Sequence, residues 1–154
     1  MNESRAIQAY LCNAYDKDGK LYPTDAKVRA RVDQRLCFEM LLYNSMGELV
    51  FPHIFGKPVH DIEAKQKKFE EVLGWANDFV KPTGFFAETK EMTIADIAIA
   101  ATFGTLKAFK KFDLEPYPDL NAWYEKMTKL VKKHEELNQV GIDQFAAFLK
   151  TKWP

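Results

Sequence analysis

The chain has no surplus of charge of either sign and very little cysteine. Lysine plus arginine and aspartate plus glutamate each number 22 among 154 residues. A protein that binds nucleic acid needs a basic surplus to neutralise phosphates, so nucleic acid is not an expected partner. Cys12 and Cys37 are too few and too far apart for a disulfide framework or a metal site. We therefore expect no metal.

The sequence also lacks a targeting segment and an apolar run long enough to cross a bilayer. It begins Met-Asn-Glu-Ser-Arg, without an apolar signal region, so we expect a cytoplasmic protein. The uncharged run that follows Asp96 extends only over residues 97–106, far short of the ~20 residues that cross a bilayer. A membrane is therefore not an expected partner.

Several motifs that carry chemistry are missing as well. The sequence has no glycine-rich phosphate loop, no Cys-x-x-Cys, no His-Glu-x-x-His and no nucleophile elbow. His53, His60 and His134 lack the neighbours of a metal or catalytic cluster and fit ordinary loop or surface positions. Ser4 has no candidate base, which makes it a poor nucleophile. The pattern predicts no catalytic residue.

The most informative stretch that is present extends from Thr93 to Phe109. Asp96 is the only charged residue between Thr93 and Lys107, and a helix that is apolar all round belongs in a core. Thr93 and Asp96 have the spacing of a capping box, with Asp in the place of the usual Glu or Gln. We predict a buried central helix and a structural role for both residues.

In the rest of the chain, apolar residues also recur at helical spacing. The sequence shows no pair of strands and no internal sequence repeat. The expected helices are residues 3–15, about 24–46, 61–80, 93–110, a helix from 119 and a short one after 141. Residues 47–58 are predicted to be a loop, so that every proline falls outside a helix. We predict an all-α bundle around the central helix. Gly104 within that helix indicates close approach of a neighbouring helix, and Gly74 suggests the same.

Several segments resemble one family. Residues 93–98, Thr-Ile-Ala-Asp-Ile-Ala, resemble the capping-box helix of the cytosolic glutathione transferases. Residues 3–7, Glu-Ser-Arg-Ala-Ile, resemble the segment that holds the γ-glutamyl end of glutathione. The segments 33–36, 117–118 and 121–124 are similar to the insect delta and epsilon classes. The resemblance covers nearly the whole chain.

The resemblance implies a domain organisation. Residues 1–20 would be the last helix of a thioredoxin-like domain and a linker, and residues 21–154 would form the helical glutathione-transferase C-terminal-type domain. The face of the first helix that carries Ile7, Leu11 and Tyr15 would then lack its usual cover. We expect this helix to repack, to swap between copies, or to dock on a homodimer mate or another partner protein.

The resemblance also implies site residues. Glu3, Ser4 and Arg5 would bind glutathione; by its chemistry alone, Ser4 could equally cap its helix. A serine at a helix start suits a carboxylate, and Glu3 suits an ammonium group. The residues expected to line the pocket for a hydrophobic electrophile are Tyr43, Met46, Phe51 and Phe148. Both cysteines fall on apolar helix faces and are expected to pack in the core.

The implied activity is conjugation of glutathione, as co-substrate and without a further cofactor, to apolar electrophiles in detoxification. In the insect classes, a Ser of the thioredoxin-like domain stabilises the thiolate, and no residue here matches it. We therefore expect this chain alone to be incomplete or inactive. The alternatives are a non-catalytic protein-interaction module and a carrier of apolar ligands.

Overall fold

The computed structural model describes residues 2–153, and within that range all of the regular secondary structure is helical. The helices are α1 (Ser4–Tyr15), α2 (Ala26–Ile54), α3 (Ile62–Val80), α4 (Ile94–Phe109), α5 (Pro118–Leu130) and α6 (Val140–Lys152), with a π-helix at Glu135–Gln139 before α6. The all-α prediction is confirmed. No helix in residues 2–153 is both long and apolar enough to cross a membrane.

Helix α4 lies at the centre of the bundle, in contact with α1, α2, α5, α6 and the π-helix. Most of its residues are buried, and the Ile99 and Phe103 side chains are fully enclosed. The carboxyl-terminal part of α4 packs in a large core with α2, α3, α5 and α6. Its first residues pack in a smaller cluster that also touches α1 and the linker after it. The predicted core position of this segment is what the structure shows.

The start of α4 is organised around the carboxylate of Asp96, which is 0% exposed. One oxygen accepts from the backbone N–H and the hydroxyl of Thr93, at 2.8 and 3.0 Å. The other accepts from the Phe86 N–H at 2.9 Å and from the indole N–H of Trp123 at 3.1 Å. The Thr93 side chain in turn bonds the backbone of Asp96, which completes a capping box. Asp96 thus joins the α3–α4 loop, α4 and α5.

Helix α2 is longer than the sequence pattern indicated. The loop predicted at residues 47–58 is mostly helix, because α2 continues to Ile54 with Pro52 inside it. Proline removes one helical hydrogen bond. The same turns, however, bury Leu49 and Val50 in the core, and this burial outweighs the lost bond.

One charged side chain of α2, that of Arg35, lies in the interior of the bundle. It is buried, its Nε donates to the Phe86 carbonyl at 2.9 Å, and its guanidinium lies 3.5 Å from the centre of the Phe79 ring. Burial lowers the pKa of Arg35, while the neighbouring Glu88 carboxylate acts in the opposite direction. A long cationic side chain can enter a core when its donors and its planar face both find partners.

The two glycines for which the sequence predicted close helix packing, Gly74 and Gly104, have different environments. A Cβ at Gly104 would lie 2.6 Å from Ile142 Cδ1 of α6 and 2.6 Å from the Tyr124 hydroxyl of α5. The prediction of close helix approach at Gly104 is confirmed. A Cβ at Gly74 would meet nothing within 4 Å, so the same prediction was wrong there.

We predict that Asp96→Ala lowers the free energy of unfolding by about 3 kcal/mol or more, because it leaves several buried donors without a partner. Thr93→Ala should cost about 1 kcal/mol. Urea unfolding measures both changes. The control is Asp25→Ala, which removes a cap from exposed Lys27 and Val28 amides and should cost only about 1 kcal/mol. Equal losses for Asp96→Ala and Asp25→Ala would contradict the argument.

The glycines provide a matched pair for a second prediction. Gly104→Ala should destabilise the protein by about 1 kcal/mol, because overlap with Ile142 and Tyr124 exceeds the gain in helix propensity. Gly74→Ala should stabilise it by about 0.5–1 kcal/mol, since only the propensity changes. Thermal or urea unfolding of the two variants gives the sign of each effect. Stabilisation by Gly104→Ala would show that the helices have room to move apart.

Candidate functional site

The amino terminus of α1 begins with an unusual backbone. Glu3 occupies the N-cap position with φ of +65°, the left-handed region that non-glycine residues rarely adopt. Its side chain makes no capping hydrogen bond, so the first amides of α1 have no side-chain acceptor at the cap. Strained residues of this kind concentrate at functional sites.

Arg5 links this helix start to the interior. Its Nε and Nη2 donate to the Glu39 carboxylate of α2, and its Nη1 donates to the Ser4 hydroxyl oxygen at 2.8 Å. Glu39 is 1% exposed, and its second oxygen accepts from the Thr102 hydroxyl of α4. A buried carboxylate is tolerable only with such a pair and further hydrogen bonds. Arg5, Glu39 and Thr102 therefore hold α1 against α2 and α4.

This arrangement prepares Ser4 for an anion. Ser4 does not occupy the cap position; its oxygen accepts from Arg5, which leaves its own proton free to donate outward. The uncapped amides and the positive end of the helix dipole favour the same partner, a carboxylate. The exposed carboxylate of Glu3 adjoins this position and suits an ammonium group. The site has the polarity required by an amino-acid end.

Sequence reasoning missed Glu39 and Thr102. The available signal was an acidic residue at position 39 within the otherwise apolar run of residues 36–42. An acidic residue that is buried at such a position needs a partner of opposite charge. Only the fold shows that this partner is Arg5, 34 residues away.

The four residues expected to line an electrophile pocket are not all brought together. The rings of Tyr43 and Phe51, about two turns apart on α2, contact each other with centroids 5.8 Å apart, and Tyr43 is exposed. Met46 is 1% exposed and belongs to the core. Phe148 lies on the exposed side of α6 and stacks on Phe145.

Two cavities lie elsewhere. A cavity of about 490 Å³ is bounded by Leu21, Phe85, Met92 and Leu130, beside the linker after α1. A larger one of about 670 Å³ lies between α4, α6 and Tyr124. None of the four predicted pocket residues lines either cavity.

The cysteines do not form a reactive or metal-binding centre. Cys12 is half-buried, and burial together with the nearby Asp16 raises the pKa of its thiol, which disfavours the thiolate. Cys37 is exposed, so the expectation that both cysteines pack in the core was wrong for Cys37. Within the described part of the chain, no group of three or more His, Cys, Asp or Glu residues could hold a metal ion.

The fold is an all-helical bundle with a capping box at the start of its central helix, and comparison with known proteins identifies the class of domain to which it belongs. A family model for "Glutathione S-transferase, C-terminal domain" matches residues 60–126. Glutathione S-transferase D7 of Anopheles gambiae is 40% identical over 153 residues, which is 97% of this chain and 69% of that protein.

Solved structures show the same relationship. A delta-class glutathione transferase of Nilaparvata lugens matches with a TM-score of 0.91 and 40% identity over 99% of this chain and 70% of that one. A glutathione transferase homologue of Drosophila mojavensis, solved with bound glutathione, matches with a TM-score of 0.82 and 31% identity over 99% of this chain and 69% of that one.

The chain belongs to the glutathione S-transferase family. Within that family it is of the insect delta and epsilon type, as the resemblance in its sequence predicted. Members of the family use glutathione as co-substrate and need no cofactor.

Proposed function

We propose that this protein binds glutathione by its γ-glutamyl end at the start of α1. The α-carboxylate accepts from the Ser4 hydroxyl and the first amides of α1, and the α-ammonium group lies against Glu3. The observation that carries the proposal is the uncapped helix start whose Ser4 is held by Arg5. The bound glutathione in the Drosophila mojavensis relative supports it.

Arg5 has a positioning role in this proposal. The Arg5 Nε and Nη2 groups donate to Glu39 and are therefore not available to the peptide. Arg5 instead fixes the position of the Ser4 hydroxyl through its Nη1 group. Thr102 supports Glu39 from the other side. The charged pair therefore connects the ligand end of α1 to the core of the bundle.

We further propose that the reaction is conjugation of glutathione to apolar electrophiles in the cytoplasm, with Tyr43, Phe51 and Phe148 beside the electrophile. An ordinary thiol has a pKa of about 8.5, so transfer at neutral pH needs a group that stabilises the thiolate. None of the predicted site residues has that role. In this proposal a Ser of a thioredoxin-like domain supplies it, residues 1–20 being the end of such a domain and 21–154 the helical domain.

We expect the chain to bind glutathione in calorimetric titration without turning over 1-chloro-2,4-dinitrobenzene. Ser4→Ala should weaken binding about tenfold, since one hydrogen bond to a charged group is lost. Cysteinylglycine, which lacks the γ-glutamyl group, should not bind measurably.

The control for this experiment is Thr128→Ala, which removes a hydroxyl from α5 that donates only to the Glu125 carbonyl. It should leave glutathione affinity unchanged. Equal affinity of wild type and Ser4→Ala for glutathione would exclude the proposed contact. Rapid turnover by this chain would contradict the proposal that a Ser of a thioredoxin-like domain stabilises the thiolate.

The exposed face of α1 favours a second candidate function, association with another protein surface. No residue of α1 is buried, and Leu11 and Tyr15 are 47% and 71% exposed. Together with Tyr10 they form an apolar strip that the rest of the bundle leaves uncovered. We propose that this strip is covered by a homodimer mate or a partner protein.

We predict concentration-dependent association of the wild-type chain in light scattering, because burial of this strip from water favours association. Leu11→Lys combined with Tyr15→Lys should yield a monomer. Ile62→Lys combined with Trp75→Lys, at two exposed apolar residues of α3, is the control and should behave as wild type. A wild-type chain that stays monomeric at high concentration would contradict self-association.

A further inference from the structure

The linker between α1 and α2, residues 16–25, is held by one side chain of α2. Arg29 donates from its Nε to the Pro23 carbonyl at 2.7 Å and from its Nη2 to the Tyr22 carbonyl at 3.0 Å. The Arg29 guanidinium also lies 4.2 Å from the centre of the Tyr22 ring. Because a guanidinium is planar and carries several donors, it can stack and donate at the same time. We call this set of contacts between Arg29 and the linker the linker latch.

The Tyr22 side chain provides a further contact between the linker and α2. Its hydroxyl donates to the Asp33 carboxylate at 2.7 Å, one turn of α2 beyond Arg29. Burial and, after it, the hydrogen bond to Asp33 raise the pKa of Tyr22 to about 12, so the hydroxyl keeps its proton at neutral pH. Both the backbone and the side chain of Tyr22 are therefore fixed on α2.

The latched linker joins the end of α1 to the start of α4. The Asp16 carboxylate accepts from the Leu21 N–H at 2.9 Å, which folds the linker back on the end of α1. The Leu21 carbonyl accepts from the Ile94 N–H, the first amide of α4, at 2.9 Å. Arg29 also reaches α1 directly, because its Nη2 donates to Asn13 Oδ1 at 3.4 Å.

Helix α1 has little packing of its own to keep it in place. None of its residues is buried, and its Ala9 and Cys12 are partly buried against the smaller core cluster. The linker contributes Leu21 and Tyr22 to the same cluster. A helix with so little buried apolar surface belongs to the parts of a protein that open most easily. Helix α1 is thus held at two places, at its first turn by the ion pair of Arg5 and at its last turn by the latch.

We propose that Arg29 is a positioning residue for the glutathione site at the start of α1. The inference rests on the proposed function of that site. Helix α1 is about 17 Å long, so release of its carboxyl-terminal end lets it tilt about the ion pair of Arg5 and reorients the Ser4 hydroxyl and the first amides. Glutathione binds the docked orientation of α1, so its apparent affinity is proportional to the fraction of molecules in which α1 is docked.

Hydrogen exchange of the α1 amides, measured by mass spectrometry on the full chain without ligand, tests the latch by itself. Arg29→Ala removes the hydrogen bonds to both linker carbonyls and the stack on Tyr22, so the α1 amides should exchange about thirtyfold faster. The α3 amides should exchange as in wild type, which shows that the bundle as a whole is intact.

Arg31→Ala is the matched control for this experiment. Arg31 lies on the same helix, two residues after Arg29, and its Nη1 donates at 2.9 Å to Glu88, outside the linker. The α1 amides of this variant should exchange at the wild-type rate. Equal acceleration in Arg31→Ala and Arg29→Ala, or equal acceleration of α1 and α3 in Arg29→Ala, would overturn the proposal.

Calorimetric titration with glutathione measures the consequence for the site. Its affinity should fall about threefold in Arg29→Ala, because the undocked form of α1 becomes as populated as the docked one, and should not change in Arg31→Ala. Saturating glutathione should slow the exchange of α1 in Arg29→Ala towards the wild-type rate, since the coupling between docking and binding is reciprocal. A merely structural role of Arg29 would not produce this recovery.

Unchanged α1 exchange in Arg29→Ala would overturn the proposal, as would unchanged glutathione affinity. A wild-type chain that binds no glutathione would refute the proposed function and, with it, the role of Arg29 at that site. The exchange rates measured without ligand distinguish this outcome from a failure of the latch itself.

Discussion

The fold depends on one carboxylate that is removed from water. Asp96 lies at 0% exposure and accepts from Thr93, Phe86 and Trp123, which belong to the start of α4, the loop before it and α5. A buried charge without donors is too costly to keep. The three segments must therefore meet at this point, and their meeting orients the central helix on which the rest of the bundle packs.

Glu39 applies the same constraint to the candidate site. It is almost fully buried between Arg5 and Thr102, so the charge that ties α1 to the bundle is also the one that places the side chain next to Ser4. The ion pair between Arg5 and Glu39 therefore connects the start of α1 to the core of the bundle.

The central helix separates two chemical environments. The Thr102 side of α4 faces α2 and the charged pair that positions α1. The other side, at Gly104 and Lys107, faces α6 and the cavity of about 670 Å³. Only a helix that is apolar over nearly all its surface can pack on both sides at once. Gly104 brings Ile142 and Tyr124 close, and this contact forms the inner end of the cavity.

The features that could be predicted from the sequence are local: the capping-box spacing of Thr93 and Asp96, the apolar period of the central helix and the close approach at Gly104. Each depends on residues a few positions apart or on the absence of one side chain. The burial of Arg35 and Glu39, the continuation of α2 through Pro52 and the core position of Met46 could not be predicted without the packed helices. These outcomes depend on partners from distant segments. A buried charge finds its partner, and apolar burial offsets a missing hydrogen bond, only after the other helices have packed.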